Sequence, residues 1–168
     1  RIRLLSPKPL VVMKTKGVKK LIEARKEFKE REAKKGRTIP EYSDRYGTFW
    51  DSHLGLLDAL VQKYPLIDSS KRILDVGTGD GFAALTLAEV TGAQITSIEL
   101  HPKRYRFAMD FLDFLKKEKG IYYPNLKIVR GNFLKHPIRD YDLIYFYYTY
   151  PKDREKEFAQ EILEKLDR

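Results

Sequence analysis

Gly77, Gly79 and Gly81 lie one residue apart, between an apolar run (Ile73, Leu74, Val76) and another (Ala83, Ala84, Leu85, Leu87, Ala88). Glycine accepts positive φ and carries no side chain, so such a loop can hold a ligand against bare backbone. Placed between a strand and a helix, the loop points its N–H groups at the ligand. Thr78 lies inside the loop and Asp75 two residues before it. An acid at position 75 can brace the loop amides or meet a ligand ammonium group. Glu99 follows Gly77 by 22 residues, at the end of a second strand-like run (Ile95, Ile98). In a doubly wound sheet the end of strand two lies beside the first glycine loop, where a carboxylate can accept from both hydroxyls of a ribose. A solvated acid at a strand end is the plain alternative. Leu100, the next residue, can pack on a base ring. Asn132 and Phe133 follow a third strand-like run; the amide can meet the exocyclic amine of an adenine, and the ring can cover it. For Asn132 the alternative is a turn residue.

The glycine spacing excludes two common nucleotide loops. A dinucleotide fingerprint needs glycine where Phe82 stands, and a phosphate-binding P-loop needs a terminal Gly-Lys-Ser/Thr. A last cluster, Phe146-Tyr147-Tyr148-Thr149-Tyr150-Pro151, ends the fourth strand-like run. Tyr147, Tyr148 and Tyr150 can cage an ammonium or sulfonium by cation–π attraction, or stack on a base. Packing aromatics at a sheet edge are the alternative.

The elements that must hold these residues alternate. Strands are expected over 72–77, 94–100, 126–130 and 142–147, with helices over 81–91, 103–119 and 153–166. That alternation means βαβ units with right-handed crossovers, hence a doubly wound, mostly parallel α/β sheet. Upstream, 1–13 reads as an extended arm broken by Pro7 and Pro9. Residues 16–35 read as a helix with Val18, Leu21, Ile22, Ala24 and Phe28 on one stripe, stopped by Gly36. A further helix is expected over 41–63, where Tyr46 and Trp50 are either core or a lid. The fourth strand is apolar on both faces, as a central parallel strand is. Since one more helix ends the chain, we expect the sheet to continue beyond Arg168. The expected division is a basic arm and helix, 1–40, before a ligand-binding domain, 41–168.

Composition narrows the classes. The chain of 168 residues is long enough for one domain with a core, and with no cysteine it has neither disulfides nor thiolate metal sites. The three histidines, His53, His101 and His136, show no ligand spacing, so no metal is expected. No apolar run reaches the ~18 residues of a membrane span, and no signal peptide is visible, so a cytoplasmic setting is expected. Scarce Asn and Gln beside abundant Lys, Arg and Glu point to a thermophile. The charge is uneven. Residues 1–37 carry 14 Lys/Arg against 4 Glu, while the remainder carries 19 against 20 Asp/Glu. The N-terminal segment therefore invites a polyanionic contact, its alternative being a solvated helix packed through Val18, Leu21 and Phe28.

As a set, Asp75-Val76-Gly77-Thr78-Gly79-Asp80-Gly81, Glu99 and Gly131-Asn132-Phe133 resemble the cofactor motifs of class I S-adenosylmethionine-dependent methyltransferases, over about residues 70–166. The resemblance implies a Rossmann-like methyltransferase fold with S-adenosylmethionine as cofactor. It places the glycine loop on the methionine part, Glu99 on the ribose and the residues after strand three on adenine. It implies methyl transfer to a macromolecular acceptor, protein lysine or RNA. A weaker resemblance, through Gly120–Pro124 and Arg130–Leu134, is to non-SET protein lysine methyltransferases. That family has paired asparagines where this chain has Tyr147 and Tyr148. Amino-directed nucleic-acid methyltransferases often carry Asn/Asp-Pro-Pro-Tyr/Phe at the same point, also absent here. A non-catalytic cofactor-binding module docking a polyanion through its basic arm is the alternative reading. Neither the acceptor atom nor the oligomeric state is legible.

Overall fold

The computed structural model describes residues 15–39, 57, 67–146, 160–161 and 163–165. Its elements are α1 (Lys16–Lys34), β1 (Arg72–Val76), α2 (Phe82–Thr91), β2 (Gln94–Glu99), α3 (Pro102–Lys119), β3 (Leu126–Arg130), a 3-10 turn (Phe133–Lys135) and β4 (Leu143–Phe146). The four strands are parallel in the order β3-β2-β1-β4. The order reverses between β1 and β4, and the crevice for a ligand in such sheets lies at that switch, beyond the carboxyl ends of the strands.

Alternation along the strands sorts the core into two faces. Ile73 and its register partner Ile95 face α2, packing with Ala84, Leu87, Ala88, Tyr145 and the buried Leu57. Leu74, Val76 and Ile98 face the other way and are covered by Phe133 with partly buried Ile138, Tyr141 and Phe146. The third cluster belongs to the helices. Leu21, Ala24 and Phe28 of α1 join Phe82 and Leu85 of α2 and Phe107, Phe111 and Phe114 of α3. Phe28 sits among three rings, with centroids 5.1 Å from Phe107, 5.1 Å from Phe111 and 5.3 Å from Phe114. The apolar stripe of α1 is thus a packing face.

Small departures from the expected boundaries have local causes. β1 stops at Val76 because Gly77 turns to φ 86°, outside the extended region. α3 starts at Pro102 because the His101 ring nitrogen Nδ1 accepts the Lys103 N–H at 3.1 Å, a helix cap built on a residue type outside the usual set. β4 lies at the edge of the sheet formed by the described residues, not at its centre. The extended arm at 1–13, the helix over 41–63 apart from Leu57, and Tyr147, Tyr148 and Tyr150 lie outside the described residues. So do Tyr46 and Trp50. Of the expected final helix, residues 160–161 and 163–165 are described, and they are helical.

Candidate cofactor site

The glycine loop is held from three sides. The N–H groups of Gly77 and Thr78 both donate to the Ile98 carbonyl, at 2.9 and 3.3 Å, which fixes the end of β1 against β2. Gly77, Gly79 and Gly81 all take positive φ, 86°, 58° and 84°. Any side chain here is strained. Gly77 is exposed with open space above its Cα, as a cradle requires.

Glu99 is where the site converges. Its Oε2 accepts the Gly79 N–H at 3.0 Å and its Oε1 accepts the His101 N–H at 2.7 Å. The second strand therefore ends beside the first loop. The residue is 4% exposed. Burial pushes its carboxyl above the ordinary range, while the two N–H groups and the nearby Arg104 charge pull the other way. Each oxygen keeps a lone pair beyond its backbone donor, so a vicinal diol can still be accepted. Leu100, next in the chain, is 46% exposed, an apolar surface beside that carboxylate.

Asp75 faces inward. It is the register partner of Ser97, so the two side chains share one face of the sheet. Ser97 Oγ donates to Asp75 Oδ2 at 2.5 Å and lies 2.6 Å from Thr78 Oγ1. Of the two roles read for Asp75, this geometry supplies the bracing one, through Ser97 to the loop. Burial raises its pKa to about 7, with Glu99 adding repulsion and the Ser97 hydroxyl opposing. Ser97 escapes a motif-based reading; the signal for it is a small polar residue facing inward from an otherwise apolar strand.

After β3, Asn132 caps the 3-10 turn, its Oδ1 accepting the Leu134 N–H at 2.9 Å. This leaves a second lone pair on Oδ1 and both amide N–H groups for a ligand. Phe133 is buried among Leu74, Val76 and Ile98. Its ring is committed to the core, supporting the turn from within. Lys165 reaches back to this turn, donating to the Leu134 carbonyl at 2.9 Å.

Asp80 also belongs to the loop, and the motif alone does not show what it does. Its Oδ1 accepts the Phe82 N–H at 3.2 Å, and its Oδ2 takes Arg25 Nε at 2.5 Å and Lys29 Nζ at 3.3 Å. A separate open cavity of about 660 Å³ lies between the C-terminal end of α1 and the first turns of α3, away from the glycine loop. Arg37 there is paired with Glu32 and Asp110, whereas Lys103 and Arg106 have no ion-pair partner among the described residues.

No family profile and no curated protein matches the sequence. Solved structures do match. An RNA methyltransferase from Salinibacter ruber bound to S-adenosylhomocysteine aligns over 66% of this chain and 68% of its own, with TM-score 0.52 and 20% identity. The S-adenosylhomocysteine-bound methyltransferase PaMTH1 from Podospora anserina aligns over 86% of this chain and 56% of its own, with TM-score 0.52 and 20% identity. A SAM-dependent methyltransferase from Aquifex aeolicus aligns over 67% of this chain and 56% of its own, with TM-score 0.50 and 19% identity. This chain thus spans between about half and two thirds of their length. With the parallel sheet, the glycine loop and the strand-two carboxylate in place, the fold is the Rossmann-like fold of the class I S-adenosylmethionine-dependent methyltransferases.

Proposed function

We propose that this protein transfers a methyl group from S-adenosylmethionine to a macromolecular acceptor, RNA or a protein lysine. The observation that carries the reading is Glu99, brought within 3.0 Å of the Gly79 amide at the carboxyl end of adjacent parallel strands. That pairing, a carboxylate beside a side-chain-free loop, supports Glu99 as the ribose acceptor. Held there, S-adenosylmethionine would supply an electrophilic sulfonium methyl group to an acceptor lone pair, leaving S-adenosylhomocysteine. The residues of this chain do the positioning, which is most of what such a displacement needs. In this reading the Gly77–Gly81 backbone holds the methionine part, and Asp75 and Thr78 hold that backbone. Glu99 orients the ribose. Leu100 and the Asn132 amide receive the base, with Phe133 supporting the turn. Tyr147, Tyr148 and Tyr150 follow β4 in the sequence, and they are our candidates for the cage around the acceptor.

Titration calorimetry with S-adenosylhomocysteine tests the reading, and absence of saturable binding by the intact, full-length protein overturns it. Glu99→Ala is expected to weaken binding by about 1.5–3 kcal/mol, the usual worth of hydrogen bonds to a charged group. The basic N-terminal segment, with 14 Lys/Arg against 4 Glu over residues 1–37, supports a second reading, a cofactor-binding module that docks a polyanion through that arm without catalysis. Labelled cofactor incubated with cell extract, with RNA and protein counted separately, decides between the two. Reproducible labelling of either removes the second.

A further inference from the structure

Between Gly77 and Gly81 only two residues carry side chains, Thr78 and Asp80. Each leaves the loop in a different direction. Thr78 is tied to β2 through Ser97 Oγ at 2.6 Å. Asp80 is tied to α1, 55 positions earlier in the chain, by Arg25 Nε at 2.5 Å. We infer that α1 acts as a clamp on the cofactor loop, with Arg25 as the positioning residue that sets the loop's ligand-binding shape through Asp80. The inference rests on the cofactor reading above.

Four contacts make the clamp. The Arg25 guanidinium pairs with Asp80 through a second nitrogen, Nη2, also at 2.5 Å, and it lies 4.5 Å from the centroid of the Phe82 ring. Lys29, one turn on, approaches the same carboxylate at 3.3 Å. The other Asp80 oxygen holds the first N–H of α2. The side chains of Asp80 and Arg25 are 6% and 16% exposed, so solvent screens this pair far less than a surface pair. A loop with three glycines loses much entropy when it is ordered. Ordering it before the ligand arrives removes that cost from binding. Phe28 and Leu21, buried in the core on either side of Arg25, give the guanidinium a fixed platform.

Asp80→Asn separates clamp from cap, because the amide oxygen can still accept the Phe82 N–H while the charge pair is lost. We expect Asp80→Asn and Arg25→Gln each to weaken S-adenosylhomocysteine binding about tenfold, and the double variant to be no weaker than either single one. Arg25→Lys should recover part of the affinity. In the ligand-free protein, amide exchange at residues 79–82 should speed up in both single variants, while exchange in β1 and β2 stays slow. Unchanged affinity and unchanged loop exchange, with only a lowered melting temperature, would show Arg25 to be merely structural and overturn the inference. If the intact protein binds no S-adenosylhomocysteine, the cofactor reading fails, and the exchange measurement alone still decides on the clamp.

Discussion

Asp75 is a carboxyl group almost without water, 1% exposed, and its partner is a serine hydroxyl rather than a cation. Its pKa of about 7 in the folded chain lies well above the ordinary 3.8. A carboxyl raised on folding binds more protons when folded than when unfolded, so stability falls as pH rises. The loss begins near pH 4, where the unfolded group ionises, and is complete once the pH passes the folded value near 7. The full shift corresponds to a change on the order of 4 kcal/mol. Urea denaturation at pH 5 and pH 8 should show about 3 kcal/mol of this change, and Asp75→Asn should remove most of it. Equal pH slopes in both proteins would contradict the assignment. At the same scale, Gly77 needs its φ of 86°, with open space above it. Gly77→Ala therefore strains backbone without meeting any neighbour, at a cost of about 1–2 kcal/mol in folding.

Among the elements, α1 is the informative one. Its ion pairs to α3, Glu27 with Lys119 and Arg31 with Glu118, are exposed and contribute little. Phe28 within its three rings matters far more. Phe28→Ala is expected to cost about 3–5 kcal/mol, a large part of the stability of a small domain. Chemical denaturation measures this directly. A loss below about 1 kcal/mol would mean that α1 does not pack as described. The N-terminal turn of α1 has its own contact. A Cβ on Gly17 would stand 1.6 Å from Glu89 Oε1, and Glu89 Oε2 accepts the Tyr123 hydroxyl at 2.8 Å. Gly17→Ala gains about 1 kcal/mol of helix propensity. It displaces a carboxylate whose hydrogen bond is worth about 1.5–3 kcal/mol. The atom met is the end of a flexible carboxylate that can swing aside, so the two effects roughly offset, and with Tyr123→Phe in place the substitution should become net stabilising in chemical denaturation. Removing residues 1–37 strips the helical core of Leu21, Ala24 and Phe28, so we expect loss of folding rather than loss of a partner alone.

Over the whole molecule, the net charge of +9 is concentrated in the N-terminal 37 residues. α1 turns Lys16, Lys19, Lys20, Lys26 and Lys34 outward while its apolar stripe is covered, so its charged face is left open by packing. Lys103 and Arg106, without an ion-pair partner among the described residues, add two cations beside its C-terminal end. If this surface follows a phosphate backbone, Lys103→Glu with Arg106→Glu should lower RNA affinity and flatten its salt dependence by about two counterions. Filter binding between about 50 and 200 mM salt checks this; an affinity that ignores salt contradicts it. No helix among the described residues is long and apolar enough to cross a membrane.

The sheet, its parallel sense and the placement of Gly77–Gly81 beside Glu99 were legible from apolar periodicity and glycine spacing. Those signals are local, written into each strand's alternation and each loop's demand for positive φ. For Asn132 the sequence offered a base contact with a turn residue as the alternative, and the structure shows it capping the turn. Three things needed the folded chain. Asp75 meets Ser97 because register pairs them; burial, which no spacing encodes, raises its pKa. Phe133 turns into the core because the segment after β3 crosses the sheet face bearing Leu74 and Val76. Arg25 reaches Asp80 because α1 packs along α2, with Gly17 near Glu89 at one end and Arg25 over Phe82 at the other. A periodic stripe tells that a helix buries one face; which charged group then lies within hydrogen-bond reach depends on how separate elements pack, and only the tertiary structure decided it.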